Sequence, residues 1–203
     1  MQILKNPNQT ICIMKHFLLG ALALVVLNPV ILIAQQAPAA FGPTPNERQM
    51  KYLKAPLAGF IHFGMNTFTG TEWGNGLESP LSFNPTKPKA NTDQWVRLFK
   101  EAGFKRIIIT LKHHDGFCLW PTKLTSHNIS ASPYQNGNGD LAREISESCD
   151  KYGMDMGIYL SPWDIHEPTY GDVTPGDYND FYVAQLEELM SGNYGRLNTA
   201  TGK

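Results

Sequence analysis

The segment Lys112-His-His-Asp-Gly-Phe117 concentrates more chemistry than any other stretch of the chain. Two adjacent histidines after an all-apolar run cannot both enter a core without polar partners. Two readings compete for them. His62, His113, His114 and Asp115 could form a metal site for a metal-dependent hydrolase, or the histidines could be neutral imidazoles that hydrogen-bond the hydroxyls of a sugar. Metal sites favour helical spacing or a distributed set with carboxylates. Neighbours on a strand point to opposite faces, so His113 and His114 share a ligand only if the strand has ended before them. That weakens the metal reading, and no metal or cofactor is expected. A structural role for one of the histidines is the plainer alternative. Trp73, Trp120 and Trp163 follow strands and are suited to stacking on pyranose faces. Glu72-Trp73 puts a carboxylate beside such a face, while Trp120, next to Pro121, is expected to pack beneath its loop.

The elements that must position these residues repeat in order. Residues 46–54 read as a short helix capped by Asn46 and ended by Pro56. Ala58 to Phe63 reads as a strand, Asp93 to Ala102 as a helix with Trp95, Leu98, Phe99 and Ala102 on one face, and Arg106 to Leu111 as a second strand. That second strand is apolar almost throughout, as a parallel strand buried on both faces should be. A helix from Asp140 to Tyr152, a strand from Met156 to Leu160 and a helix from Tyr178 to Met190 complete the series. Alternating strands and helices make an α/β chain with a parallel sheet.

A doubly wound sheet and a (β/α)8 barrel both accept that order. Each strand runs at its C-terminal end into histidines, carboxylates and tryptophans, which is where barrel enzymes build their sites. No glycine-rich dinucleotide turn follows any strand. The expected fold is therefore the N-terminal part of a TIM-like barrel, with about three βα units. Five further units would need at least about 150 more residues. Residues 191–203 are polar and glycine-rich and hold no fourth strand.

Composition narrows the class further. With 42% hydrophobic and 17% charged residues, the 203-residue chain is globular. A net charge of −1 gives no reason to expect nucleic acid or an anionic membrane surface. Of the three cysteines, Cys12 precedes an N-terminal targeting segment. Cys118 and Cys149 read as buried small side chains, with a disulfide between them as the alternative.

Residues 1–36 form that targeting region. Met14-Lys-His, an apolar Phe17 to Leu27, then Asn28-Pro29 and Val30 to Ala34 make a signal peptide over about 14–36, cleaved near Ala34 to Ala37. Asn28-Pro29 interrupts the run of about 20 apolar residues that a membrane anchor needs. No stable membrane span is expected after cleavage, and the product is expected to be secreted or periplasmic. The polar residues before Met14 fit no signal pattern, so translation is expected to begin at Met14. Residues 37–45, with three prolines, are an extended lead-in to a domain over 46–203.

Several segments in order resemble glycoside hydrolase family 29, the retaining α-L-fucosidases. They are Phe60-Ile-His-Phe-Gly64, Thr71-Glu-Trp-Gly74, Phe83-Asn-Pro85 with Trp95, Ala102-Gly-Phe104, Lys112 to Trp120, Gly139-Asp140 and Gly157 to Asp164. The resemblance implies exo-hydrolysis of terminal α-L-fucose from a fucosylated glycan or oligosaccharide. It implies that His62, His113 and His114 bond fucose hydroxyls, that Glu72 and Trp73 line the pocket, and that Tyr159 lies near the anomeric centre. Trp163 is a further candidate, and Asp115 is expected to brace its own loop. Glu72 assisting proton transfer is a subsidiary possibility. The Ser-Pro-Trp-Asp form of the last motif resembles the branch acting on 1,3- or 1,4-linked fucose. A retaining glycosidase needs two carboxyl groups about 5–5.5 Å apart. The resemblance places the nucleophile at the end of a fourth strand and the acid/base further on, beyond Lys203. The 203-residue chain is therefore expected to hold part of a fucose pocket and to be inactive alone. A non-catalytic carbohydrate-binding remnant is the alternative within the same residues.

Overall fold

The computed structural model describes residues 37–85, 90–171 and 177–192. The targeting segment and residues 193–203 lie outside them. Contacts divide the chain into residues 1–44 and residues 45–203. In the first unit, residues 37–44 carry no helix or strand and are exposed.

The second unit begins with α1, Glu47–Leu53, whose start is a capping box. Asn46 Oδ1 accepts from the Gln49 N–H at 3.0 Å, and Gln49 Oε1 accepts from the Asn46 N–H at 2.8 Å. Then come β1 (Ala58–Ile61), a four-residue helix α2 (Asn66–Thr69), α3 (Thr92–Glu101), β2 (Arg106–Lys112), α4 (Leu141–Tyr152), β3 (Asp155–Leu160) and α5 (Asp177–Ser191). Asp140 caps α4 through the Arg143 N–H, and Gly153 closes it in the left-handed conformation.

The three strands form one parallel sheet in the order β1-β2-β3, with Phe60, Ile108 and Gly157 in register. Alternation sorts the residues between its faces. Ile107, Ile109, Leu111, Met156 and Leu160 are buried, together with Val96 of α3, Leu141, Ile145 and Cys149 of α4 and Leu189 of α5. On the other face Phe60 is 51% exposed. Cys118 and Cys149 are free and buried, so the disulfide alternative does not hold.

Helix α3 carries Trp95, Leu98, Phe99 and Ala102 on one face, as expected, and buries a second face beside it. Thr92 and Val96 are the buried residues of α3, whereas Leu98 is exposed. The reason is the neighbour. Thr92 Oγ1 meets Ser148 Oγ at 3.0 Å, which turns this face towards α4. Trp95, Leu98, Phe99 and Ala102 line an apolar groove with Phe60, Phe63 and Phe104 beside β1. Gly59 sets how closely α3 approaches. A Cβ there would stand 2.3 Å from the Phe99 ring. Gly59→Ala is expected to cost about 1–3 kcal/mol by overpacking, read as a lower urea midpoint. An unchanged midpoint would mean that Phe99 is not seated on the strand.

Candidate functional site

The end of β1 is held by a side chain of β2. Thr110 Oγ1 accepts from the Phe63 N–H at 3.1 Å and donates to the Phe63 carbonyl at 2.8 Å. This bridge extends the pairing past Ile61 and brings His62 beside the end of β2. The strand stops at Lys112, so His113 and His114 escape the alternation that would separate them. Their ring centroids lie 4.0 Å apart, and His62 lies 4.6 Å from His113. The row continues from His114 to Trp163 at 4.6 Å and from Trp163 to Trp73 at 5.6 Å. Tyr159 stands 6.2 Å from His113 on the other side. His62, His113, His114, Tyr159, Trp73 and Trp163 thus form one row of rings at the C-terminal ends of the three strands. Glu72 is exposed on the first loop and joins the row through its neighbour Trp73. Its carbonyl accepts from Asn66 Nδ2 at 2.9 Å. Trp120 is outside the row. It is buried, and its indole N–H donates to Glu188 at 2.9 Å.

The hydrogen bonds around Ser161 assign a tautomer. Ser161 Oγ lies 2.7 Å from the Trp163 carbonyl, which can only accept, so the hydroxyl proton goes there. His114 Nδ1, 2.7 Å from the same Oγ, then carries the proton of that contact. His114 Nε2 is left as an acceptor. His113 is buried, and its Nδ1 has no hydrogen-bond partner. Burial, with the neighbouring His114 and His62, pushes His113 down to about 4. Burial and His62 also lower His114. Neutral imidazoles both donate and accept, as a sugar hydroxyl requires. Among the described residues, no group of three His, Cys, Asp or Glu side chains is arranged to hold a metal ion.

Sequence reading missed what fastens the row. Lys112 is fully buried. Its Nζ donates to Asp164 Oδ2 and to Gln185 Oε1, each at 2.8 Å. The ion pair ties the end of β2 to the loop after β3, and Gln185 ties both to α5. Ile165 N–H donates to the His114 carbonyl at 2.9 Å, which fixes the second loop against the third. A lysine closing an otherwise apolar strand was the available signal, because a buried ammonium needs a carboxylate. Asp164→Asn should therefore destabilise the chain by about 3–5 kcal/mol by stranding that ammonium. Replacing Lys112 and Asp164 together with apolar residues should cost much less in the same denaturation assay. Equal losses would mean that the pair is not coupled.

Burial and the neighbouring His166 push His127 down to about 4, as burial does for His113. Both groups are depressed below the ordinary histidine value near 6.5. They therefore contribute stability that is present above about 6.5 and lost as pH falls towards 4. His127→Asn should flatten that part of the profile of melting temperature against pH, and an unaltered slope would contradict the assignment.

The alpha-L-fucosidase family model matches residues 47–196. Alpha-L-fucosidase 1 of Arabidopsis thaliana is 40% identical over 181 residues, which are 89% of this chain and 35% of that protein. Among solved structures, a GH29 fucosidase of Ruminococcus gnavus in complex with fucose is 43% identical. It has a TM-score of 0.68, over 77% of this chain and 35% of that one. SpGH29 is 48% identical with a TM-score of 0.73, over 76% and 34%. This chain spans about a third of the length of such relatives. The matched region contains all three strands and every ring of the row, and the chain belongs to the glycoside hydrolase family 29 α-L-fucosidases.

Proposed function

We propose that this chain is the strand-end half-pocket of a retaining α-L-fucosidase that removes terminal α-L-fucose from glycans or oligosaccharides. The observation that carries the reading is the row of three imidazoles, with His113 and His114 lowered by burial, flanked by Trp163 and Trp73 at the ends of three parallel strands. His62, His113 and His114 bond the sugar hydroxyls, and His114 does so through Nε2. Trp73 and Glu72 line the pocket, and Tyr159 lies towards the anomeric carbon. A fucose complex of the R. gnavus relative supports the choice of sugar.

The architecture proposed for the whole protein is a closed (β/α)8 barrel. Its support is a parallel sheet in sequential order, with one covered face and Phe60 and Tyr159 on the other. The nucleophile and the acid/base belong to the remaining length of the relatives. Asp115 and Asp164 do not replace them, because Asp115 is buried and Asp164 is engaged by Lys112. Export to the periplasm or the exterior is proposed from the apolar segment after Met14.

Fucose should bind the 203-residue polypeptide in the millimolar range, about −4 kcal/mol, as seen in histidine chemical shifts. His114→Ala and Ser161→Ala should each weaken binding by about 5–10-fold, the worth of one hydrogen bond. Equal binding of a sugar epimeric at the contacted hydroxyls would overturn the pocket. The same polypeptide should release no aryl alcohol from an aryl α-L-fucoside. Turnover would overturn the assignment of the covalent step to residues outside it.

A further inference from the structure

The wall that Trp73 adds to the ring row stands on a loop whose own hydrogen bonds are local. Asn66 Nδ2 donates to the Thr71 and Glu72 carbonyls at 2.7 and 2.9 Å. The Leu77 N–H donates to Asn75 Oδ1 at 2.8 Å, and the Asn75 N–H donates to Glu78 Oε1 at 2.6 Å. These bonds shape the loop and leave its position against the other strands open. The Trp73 ring is 53% exposed and meets Trp163 edge-on, with centroids 5.6 Å apart. Ring pairs of this kind tolerate separations of about 4.5–7 Å, so the contact alone does not fix the wall.

The junction comes from the third loop. His166 Nδ1 lies 2.6 Å from the Gly76 carbonyl, 90 residues away in sequence. A carbonyl only accepts, so Nδ1 carries the proton. The neutral ring with that proton and the imidazolium both donate from Nδ1, so the bond does not depend on the charge of His166. Gly76 permits the approach. Its φ is 76°, and a Cβ there would stand 2.7 Å from the Ile165 carbonyl carbon and 2.8 Å from the His166 backbone nitrogen. The imidazole is aimed by its other contacts. It stacks on His127 at 4.0 Å and 17°, and His127 is buried and edge-on to Phe117 at 5.2 Å. A Cβ on Gly116 would stand 2.7 Å from the His166 Cβ, so the second loop leaves it room. The His166 N–H donates to Asp164 Oδ1 at 3.2 Å, and Asp164 is the partner of the buried Lys112.

We infer that His166 is a positioning residue: through its imidazole N–H and the Gly76 carbonyl it sets the Trp73 wall in its place against Trp163. Lys112, Asp164, His166 and Gly76 then form one line of contacts from the buried end of β2 to the loop that carries Glu72 and Trp73. His166 needs no contact with the sugar for this, because it acts on the backbone that follows Trp73. The inference rests on the reading of Trp73 and Trp163 as one end of a fucose pocket, and it deepens that reading by naming what sets the width of that end. Ring and donor make separable contributions. A ring without the N–H keeps the stack on His127 and releases the loop, whereas a donor without the ring gives up the stack and holds the loop.

The test uses the 203-residue chain labelled with 5-fluorotryptophan, with the Trp73 19F resonance assigned by its loss in Trp73→Phe. His166→Phe keeps a ring against His127 and removes the donor. His166→Asn removes the ring and keeps a donor, because its Nδ2 stands near the place of the imidazole Nδ1. The Trp73 resonance should move in His166→Phe and stay at the wild-type position in His166→Asn. Fucose affinity should fall about 5–10-fold in His166→Phe and remain within about twofold of wild type in His166→Asn. A Trp73 signal unmoved in His166→Phe, or moved as far in His166→Asn, would overturn the inference. In the unmodified chain, 15N labelling of the imidazoles should find the His166 proton on Nδ1. A ring protonated on Nε2 alone would overturn the inference whether or not the variants fold. If fucose does not bind the unmodified chain, the pocket reading fails, and the Trp73 resonance still decides the role of His166.

Discussion

The described structure depends on a buried ammonium. Removing Lys112 and Asp164 from water costs several kcal/mol for each ion, and their attraction offsets this only when the remaining bonds are made. Here they are. Nζ has Asp164 Oδ2 and Gln185 Oε1 at 2.8 Å, and the rings of Tyr178, Phe181 and Tyr182 stand 5.4–5.8 Å away. Asp164 Oδ1 accepts from the His166 and Glu167 N–H groups. A pair satisfied on both sides has one geometry, and that geometry joins β2, the loop after β3 and α5. Trp163 and His114, on either side of Ser161, inherit their positions from it. The apolar core alone would hold the sheet to its helices but would leave the loops free to choose.

The strands and helices were legible because they are local. The run of apolar residues at 106–111 and the caps at Asn46 and Asp140 act over a few residues, and the observed bounds differ from the expected ones by a residue or two. The row of rings was half legible. Its members could be named from the residue types just beyond each strand, but their contacts depend on where β2 stops and on Thr110 reaching across to Phe63. The apolar stripe of α3 was legible, but a stripe does not say which neighbour will cover it, and Leu98 stays exposed. Lys112, Gln185, Glu78, His127 and His166 were illegible as partners. Their contacts span tens of residues, and only the folded chain closes those distances.

The crowding of histidines has a physical use. A lone exposed imidazole titrates near 6.5 and is charged part of the time in mildly acidic surroundings. An imidazolium donates from both nitrogens and accepts from neither. Burial makes a proton on His113 costly, and His114 at 4.0 Å and His62 at 4.6 Å add to that cost. In His114, Ser161 holds the Nδ1 proton and so makes Nε2 the acceptor of the neutral ring, and burial with His62 lowers this group too. The row works by keeping charge out.

The junction beneath the row is built differently, by backbone close approach rather than by rings. In the row, His113 Nδ1 is buried and has no hydrogen-bond partner, and the ring packs between His62 and His114. Loops that end in unsatisfied atoms are weakly determined and need a foundation. Glycines at 74, 76 and 116 let backbones and carboxyl groups approach more closely than any side chain would allow. Close approach packs the Asp115 and Glu78 side chains against Gly74 beneath Trp73, and the backbone of Ile165 against Gly76. The first and second loops and the first and third are thus seated on one another with no side chain at either glycine between them, and a Cβ at either glycine would push them apart.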